Sequence, residues 1–286
     1  MVLSTLKHQT EITLLQQQPG NDLRTTFTTI HLAQTSIQPY PNSDIMSIET
    51  SYSNKRIGDI VSENYNAAAI FREFGIDFCC GGGISLQEAC EKNGVELTDV
   101  SSRLENLSAT NPYSGDNYAA WTPAFLIDYI VNTHHQFVKQ KSDEIAAYAA
   151  KVARVHGDRY PENVKIYQTF QELIMELLEH LQEEEQDVFP LIKRVAAKKE
   201  SGERPTETEL SELKEELVKM VSEHEHAGDL MAEIRSLSHQ FTPPADACAT
   251  YRILYQNLEG FEADLHKHVH LENNILFQKM EELVAA

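Results

Sequence analysis

The sequence predicts an all-α protein, an up-down-up-down four-helix bundle preceded by a small helical domain. Three observations predict it. From Thr122 to Leu283 the apolar residues recur at steps of three and four, the period of an amphipathic helix. Start and stop residues cut that region into four segments of about 30 residues joined by short loops, the pattern of a bundle. No stretch competes with the period-two alternation of a strand, and no solenoid repeat is present.

Composition bounds the rest. The chain of 286 residues has room for one good-sized domain and a smaller one, and 41% hydrophobic content is ample for a buried core. Asp and Glu number 44 against 24 Lys and Arg, a net charge of −20. That balance argues against nucleic acid or an anionic membrane as partner, because phosphate binding relies on Lys and Arg. No apolar run approaches the roughly 20 residues of a membrane span, and the N-terminus lacks the apolar region of a signal peptide. Four cysteines, two of them adjacent, make a poor disulfide framework, so a reduced, cytoplasmic protein is expected.

Residues 1–52 are rich in Thr, Gln, Ser and Asn and carry no sustained period, so a disordered tail is expected there. Met46 offers an alternative start. The small domain is expected over residues 56–110. Ile57, Ile60 and Val61 open an apolar helical face that Ala67 to Phe71 continue, and Gly75 stops it. Phe78-Cys79-Cys80-Gly81-Gly82-Gly83 must be an irregular loop. Ser85 with Glu88 forms a capping box for the next helix, Gly94 ends it, and Thr98 starts another. Residues 111–117, with Pro112 and Gly115, read as a linker.

The bundle is expected over residues 120–284. Thr122 as N-cap and Pro123 at the first helical position open a helix reaching about Val155. The second runs from about Glu162 to Lys199, with a kink expected at Pro190. Gly202 and Pro205 make a turn, and Thr206 with Glu209 caps a third helix that reaches about Ser238. Thr242-Pro243 is expected to open the fourth, which ends near Leu283.

Two of these helices carry the same device, His180-x-x-x-Glu184 and His268-x-x-x-Glu272. The spacing puts imidazole and carboxylate on one helix face, one turn apart. In each case that face also carries the apolar stripe, through Leu173, Leu177, Val188 and Leu191 or through Phe261, Leu265 and Ile275. Buried ionisable groups need a partner or a metal. On the third helix Leu217, Val221, Gly228 and Met231 share a face with His224, and Gly228 would leave open space beside a ligand. On the first helix the period through Ile127, Val131 and Val138 tolerates His134 or His135. Four imidazoles with two glutamates able to bridge suit Fe, Mn or Zn. The pattern is not the Glu-x-x-His of ferritin-like proteins and is rich in histidine, which favours a hemerythrin-like di-iron centre. His266 and His270 each lie about 200° around the helix from His268 and are expected to face outward. Cys90 and Cys248 are expected in the core.

The runs His180-x-x-x-Glu184-Glu185-Gln186-x-x-Phe189-Pro190, Ser222-Glu223-His224 and His268-x-x-Leu271-Glu272-Asn273-Asn274, with Cys79-Cys80-Gly81-Gly82, closely resemble motifs of the iron-sulfur cluster repair (RIC, ScdA/YtfE) family. The resemblance covers about residues 56–284 and leaves the N-terminal tail unmatched. It implies a hemerythrin-like bundle holding two non-haem iron ions, with His135, His180, His224 and His268 as ligands and Glu184 and Glu272 as bridges. Spacing back from Val152-x-Arg154-Val155-His156 selects His135 over His134. Gln278 stands where relatives often have proline. The resemblance also implies repair of clusters damaged by oxidative or nitrosative stress, by an iron donor or scaffold rather than a conventional enzyme. Damaged or apo iron-sulfur proteins would be the partners.

Cys79 and Cys80 in their glycine-rich loop are candidates for a thiol site that accepts iron, nitric oxide or a disulfide. Two other function classes fit the same residues. One is a hemerythrin-like module that binds or senses oxygen or nitric oxide; the other is a di-iron nitric oxide or peroxide reductase. The Cys-Cys loop favours repair, since oxygen storage has no evident use for it. A small domain on a linker could reach a second subunit, so a homodimer is compatible with the sequence.

Overall fold

The structure, a computed structural model, describes residues 52–110 and 117–285. The expectations of a disordered tail and of a linker fall almost wholly outside these residues. Among them, extended pairing is confined to an isolated antiparallel bridge between Arg56 and Ser85. Among the described residues no helix is long and apolar enough to cross a membrane.

Four short helices come first: α1 (Ile57–Glu63), α2 (Ala67–Glu73), α3 (Leu86–Asn93) and α4 (Leu97–Thr110). The apolar face expected to continue from Ile57 to Phe71 is broken between α1 and α2. Asn64 caps α1, and its side-chain oxygen accepts the Asn66 N–H at 3.1 Å, a local turn that competes with the helix. At α3 the expected capping box is present, with Ser85 Oγ accepting from Glu88 N at 3.2 Å and the Glu88 carboxylate accepting from Ser85 N at 2.9 Å. Gly94 ends the helix in the left-handed conformation, φ 65°.

The bundle follows as four arms, three of them interrupted. A 3-10 turn (Tyr118–Ala120) leads into the first, α5 (Pro123–Ile130), a π-turn (Val131–His135) and α6 (Gln136–His156). Next are α7 (Glu162–Glu183), a π-turn (Glu184–Val188) and α8 (Phe189–Glu200). The third arm is α9 (Glu207–Leu237) alone. The fourth comprises α10 (Ala249–Leu271), a π-turn (Glu272–Leu276) and α11 (Phe277–Ala285). Thr122 and Thr206 cap the first and third arms as expected. Pro190 lies in the first turn of α8, and where a kink is expected the helix carries a π-turn that ends two residues before the proline.

The fourth arm starts later than expected. After α9 the residues His239, Gln240 and Phe241 all take positive φ (51°, 58° and 55°). Ser238 Oγ accepts the Phe241 N–H at 3.1 Å, and the Arg235 guanidinium sits 4.9 Å from the Phe241 ring. This turn buries Phe241 and leaves Thr242-Pro243 in a loop, so α10 begins at Ala249 with Cys248 as its N-cap. Cys248 is therefore exposed, not a core residue. Cys90, in α3, is buried as expected.

Apolar residues pack in two clusters. One joins Ile57 and Phe71 of the short helices and Phe78 of the loop between them to Val138, Leu177, Leu181, Ala227 and Leu265 of the bundle. The other gathers Ile130, Val188, Met220, Leu271, Ile275 and Met280 at the far end. Along every arm the polar residues of the next section fall between members of the first cluster and members of the second.

The short helices dock on the bundle through the Cys-Cys-Gly-Gly loop. Asn274 Nδ2 donates to the carbonyls of Cys79 (2.8 Å) and Phe78 (3.3 Å). A Cβ on Gly58 or Gly82 would fall on the Asn274 side chain, so both positions need glycine for the backbone to approach this closely. His266 and His270 point away from the bundle centre but not into solvent. Phe78 packs edge-on to both rings, 5.9 Å away in each case, and Ser62 Oγ lies 3.4 Å from His270 Nε2. A second packing unit covers the face that helical periodicity assigns to water. Burial there pushes His270 down to about 4.

Gly82→Ala is expected to cost about 1–3 kcal/mol, the usual range for overpacking a well-fitted contact. The added methyl also comes within 2.6 Å of the Phe78 carbonyl. Denaturant unfolding measures the loss, and hydrogen exchange should quicken in residues 57–107 before it does in α7 or α9. Unchanged stability and exchange would mean that the loop does not hold the two parts together.

Candidate metal centre

Six side chains from all four arms converge between the two apolar clusters. His135, Glu184, His268 and Glu272 offer one set of four ligand atoms within 4.8 Å of one another; His180, Glu184, His224 and Glu272 offer a second. Both carboxylates belong to both sets. Each set thus has two imidazoles and a share of two bridging groups, so two ions could be held side by side. All six residues are buried, and both glutamates are fully so.

The distances are those of donors aimed at common points. His135 Nε2 is 3.4 Å from Glu184 Oε2, and His268 Nε2 is 3.0 Å from Glu272 Oε1. In the other set His180 Nε2 is 3.4 Å from Glu184 Oε1, and His224 Nε2 is 3.2 Å from Glu272 Oε2. His180 Nε2 and His224 Nε2 stand 2.9 Å apart, close to the roughly 3 Å between cis nitrogens whose bonds to one ion are about 2.1 Å. Both Glu184 oxygens, Glu272 Oε2 and His135 Nε2 are buried with no hydrogen-bond partner. Buried polar atoms normally have one. The donor set therefore fits a pair of divalent cations.

Three imidazoles are fixed from behind. His135 Nδ1 donates to Glu185 Oε1 at 2.7 Å, His180 Nδ1 to Glu223 Oε2 at 2.7 Å, and His224 Nδ1 to Asn273 Oδ1 at 2.8 Å. Each acceptor oxygen has no proton to give, so each Nδ1 carries the hydrogen and each Nε2 can turn a lone pair to the centre. Each of these acceptors is the chain neighbour of a central residue: Glu185 follows Glu184, Glu223 precedes His224, and Asn273 follows Glu272. No periodicity argument singles them out, because consecutive helical residues point about 100° apart.

The electrostatics call for positive charge. Burial resists ionisation of Glu184 and Glu272 repels it, yet the surrounding histidines hold its carboxyl down at about 2. Glu272 is likewise held well below the usual range, against its own burial, by His268, His135 and His224. Burial disfavours the charged forms of His135 and His180, but the glutamates outweigh it and push both up to about 10. Without a cation, imidazolium protons neutralise the carboxylates; a divalent ion would replace them.

The π-turns position these groups. One ends at His135, and the other two begin at Glu184 and Glu272. π-turns inside α-helices concentrate at functional sites. The first also separates two histidines that periodicity leaves alike. His135 faces the centre, whereas His134, equally buried, turns to Asp264, with Nδ1 2.9 Å from Oδ1. His226 and His239 are exposed, and His156 pairs with Cys248 at 3.3 Å. A cavity of about 420 Å³ between α7 and α9 reaches His180, His224 and His268, walled by Glu176, Glu179, Glu183, Glu223 and Lys219.

Cys79 and Cys80 lie on the other side of α9. Cys80 Sγ is 3.5 Å from the His224 carbonyl, and a Cβ on Gly228 would stand 3.6 Å from it. Gly228 thus faces the loop thiol and not open space beside an imidazole, as its place on the His224 face suggests. The hydrogen bond with Cys80, burial and the nearby Asp77 push the Cys79 thiol well up.

Comparison with known proteins agrees with this geometry. Residues 126–280 match the family described as the hemerythrin HHE cation binding domain, and residues 53–108 match ScdA_N, described as a domain of unknown function. The bundle is a cation-binding bundle of hemerythrin type. The chain is 32% identical over 224 residues to the iron-sulfur cluster repair protein ScdA of Staphylococcus haemolyticus, spanning 78% of this chain and 96% of that one. To the iron-sulfur cluster repair protein YtfE of Musicola paradisiaca it is 34% identical over 230 residues, 80% and 96% of the two chains. For YtfE of Yersinia pseudotuberculosis the figures are 31% over 228 residues, 80% and 97%. The chain belongs to the ScdA/YtfE family.

Glu223→Gln should weaken metal binding ten- to a hundredfold, the usual effect of removing a carboxylate behind a ligating histidine. Titration against a competing chelator measures it, with far-UV dichroism to confirm the fold. An affinity equal to that of the unaltered protein would mean that Glu223 does not orient His180.

Proposed function

We propose that the chain repairs iron-sulfur clusters damaged by oxidative or nitrosative stress, and that it does so by donating iron. The observation that carries this reading is the pair of buried carboxylates shared between two four-donor sets, in a chain whose relatives are named iron-sulfur cluster repair proteins. In this reading His135, His180, His224 and His268 hold two non-haem iron ions, bridged by Glu184 and Glu272. Imidazole and carboxylate suit iron, and they lack the thiolates that lock iron into a cluster.

The residues of the chain then have separable tasks. Glu185, Glu223 and Asn273 keep the imidazoles turned inward, which lets the site empty and refill without rebuilding. The acidic cavity reaching His180, His224 and His268 gives iron, and small ligands such as nitric oxide or oxygen, a way to the centre. Cys79 and Cys80 form the thiol site of the small domain, residues 56–110, set against the bundle of residues 120–284. The partners are damaged or apo iron-sulfur proteins of the cytoplasm.

Anaerobically purified protein should carry about two irons per chain, and Glu184→Ala combined with Glu272→Ala should lose them. Mixed under reducing conditions with an enzyme whose cluster has been damaged, the loaded protein should restore activity as its own iron falls. If oxygen or nitric oxide changes the optical spectrum reversibly while all the iron stays bound, a sensing or binding module replaces the repair reading. Turnover of nitric oxide or peroxide with a reductant, without iron loss, replaces it with a reductase.

A further inference from the structure

The geometry points to a second, mononuclear metal site in the Cys-Cys-Gly-Gly loop, with Asp77, Cys79 and Cys80 as ligands to a single thiophilic divalent cation. This goes further than reading Cys79 and Cys80 as a thiol site, and it rests on that reading but not on the bundle's centre. One carboxylate and two thiols offer three donor atoms within 4.8 Å of one another. The sulfurs are 4.0 Å apart. Two sulfurs bound to one tetrahedral ion at about 2.3 Å stand about 3.8 Å apart, so they need almost no movement. Cys79 Sγ lies 3.1 Å from Asp77 Oδ1, against about 3.5 Å for a tetrahedral sulfur–oxygen pair, a few tenths that a χ1 adjustment supplies.

The carboxylate is held in place before any ion arrives. Asp77 Oδ1 accepts the N–H groups of Cys79 (2.9 Å) and Cys80 (3.1 Å), and Oδ2 accepts that of Gly81 (2.8 Å). A loop cap accounts for those three bonds. It does not account for two adjacent thiols within 4.8 Å of that carboxylate, one of which, Cys79, donates its proton to Oδ1. Binding exchanges that arrangement for metal bonds: M²⁺ + 2 RSH gives M(SR)₂ + 2 H⁺, with both protons released to solvent. Asp77 is exposed and Cys80 half-exposed, so a fourth position would open outward, where water or a ligand from another protein can take it. On its inner side the site backs onto the His224 carbonyl, so the two metal-binding regions share one segment of α9.

Cadmium tests this without depending on the bundle, because thiolate–cadmium charge transfer absorbs in the near ultraviolet and imidazole and carboxylate ligands do not contribute. Titration of the full chain should develop a band whose final intensity is that of one two-thiolate cadmium site per chain, whatever further cadmium the bundle takes up without absorbing. Cys79→Ser with Cys80→Ser should abolish the band, whereas Cys90→Ser and Cys248→Ser should leave it. Asp77→Asn, which keeps the oxygen that caps Cys79 and Cys80, should retain the band but weaken cadmium binding roughly tenfold or more. No band in the unaltered protein, a band surviving the double serine variant, or full affinity in Asp77→Asn would each overturn the site. The band should persist in the Glu184→Ala, Glu272→Ala chain, so failure of the di-iron reading would show in iron content and leave this result standing.

Discussion

Two fully buried carboxylates at the middle of the bundle set the terms for everything around them. Removing one ionised group from water costs several kcal/mol even after the protein relaxes, and like charges side by side add to that cost. Glu184 and Glu272 face this problem together, since they share both donor sets. Four imidazoles from four arms answer it, and three of these are themselves oriented by a carboxylate or amide oxygen behind them. The result is a polar slab with apolar clusters above and below. Such a slab discriminates between helix registers. Sliding one arm by a turn would drive a charged group into the leucine layers and leave its partner unpaired.

The π-turns follow from the same demand. A regular helix offers its inward positions at steps of three or four, and the apolar stripe needs those steps. Inserting one residue at the level of the centre re-aims a side chain without disturbing the layers on either side. The second and fourth arms use the device identically: histidine in the last turn of an α-helix, glutamate opening a π-turn, and phenylalanine resuming the α-helix at Phe189 and Phe277. After Phe189 comes Pro190, after Phe277 comes Gln278. The turn is therefore not a consequence of proline; proline is tolerated where the turn already exists.

Much of this was legible in the sequence. The four arms, the caps at Thr122, Ser85 and Thr206 and the convergence of His180, Glu184, His224, His268 and Glu272 all follow from helical period and capping chemistry. What periodicity missed has two physical causes. It treats each helix as regular, so it could not separate His134 from His135 across a π-turn, or see that left-handed residues 239–241 delay α10 and leave Cys248 outside it. It also knows only two environments, core and water. His266 and His270 point away from the centre, but the short helices cover them, so that outward-facing imidazoles lie against Phe78.

The covering of α10 ties the two parts of the molecule to one stretch of chain. From His268 to Asn274, alternate needs are met by residues one or two positions apart. His268 and Glu272 face the centre, Asn273 orients His224, His270 fills the interface, and Asn274 clamps the cysteine loop. A helix that buries residues all round its circumference has no face left to vary freely. Glu272 of the centre and Asn274, which donates to the carbonyls of Phe78 and Cys79, lie two residues apart in the same π-turn. One turn of backbone thus has to satisfy the polar centre and the packing of the cysteine loop together, which is why the sequence there is so closely constrained on every face.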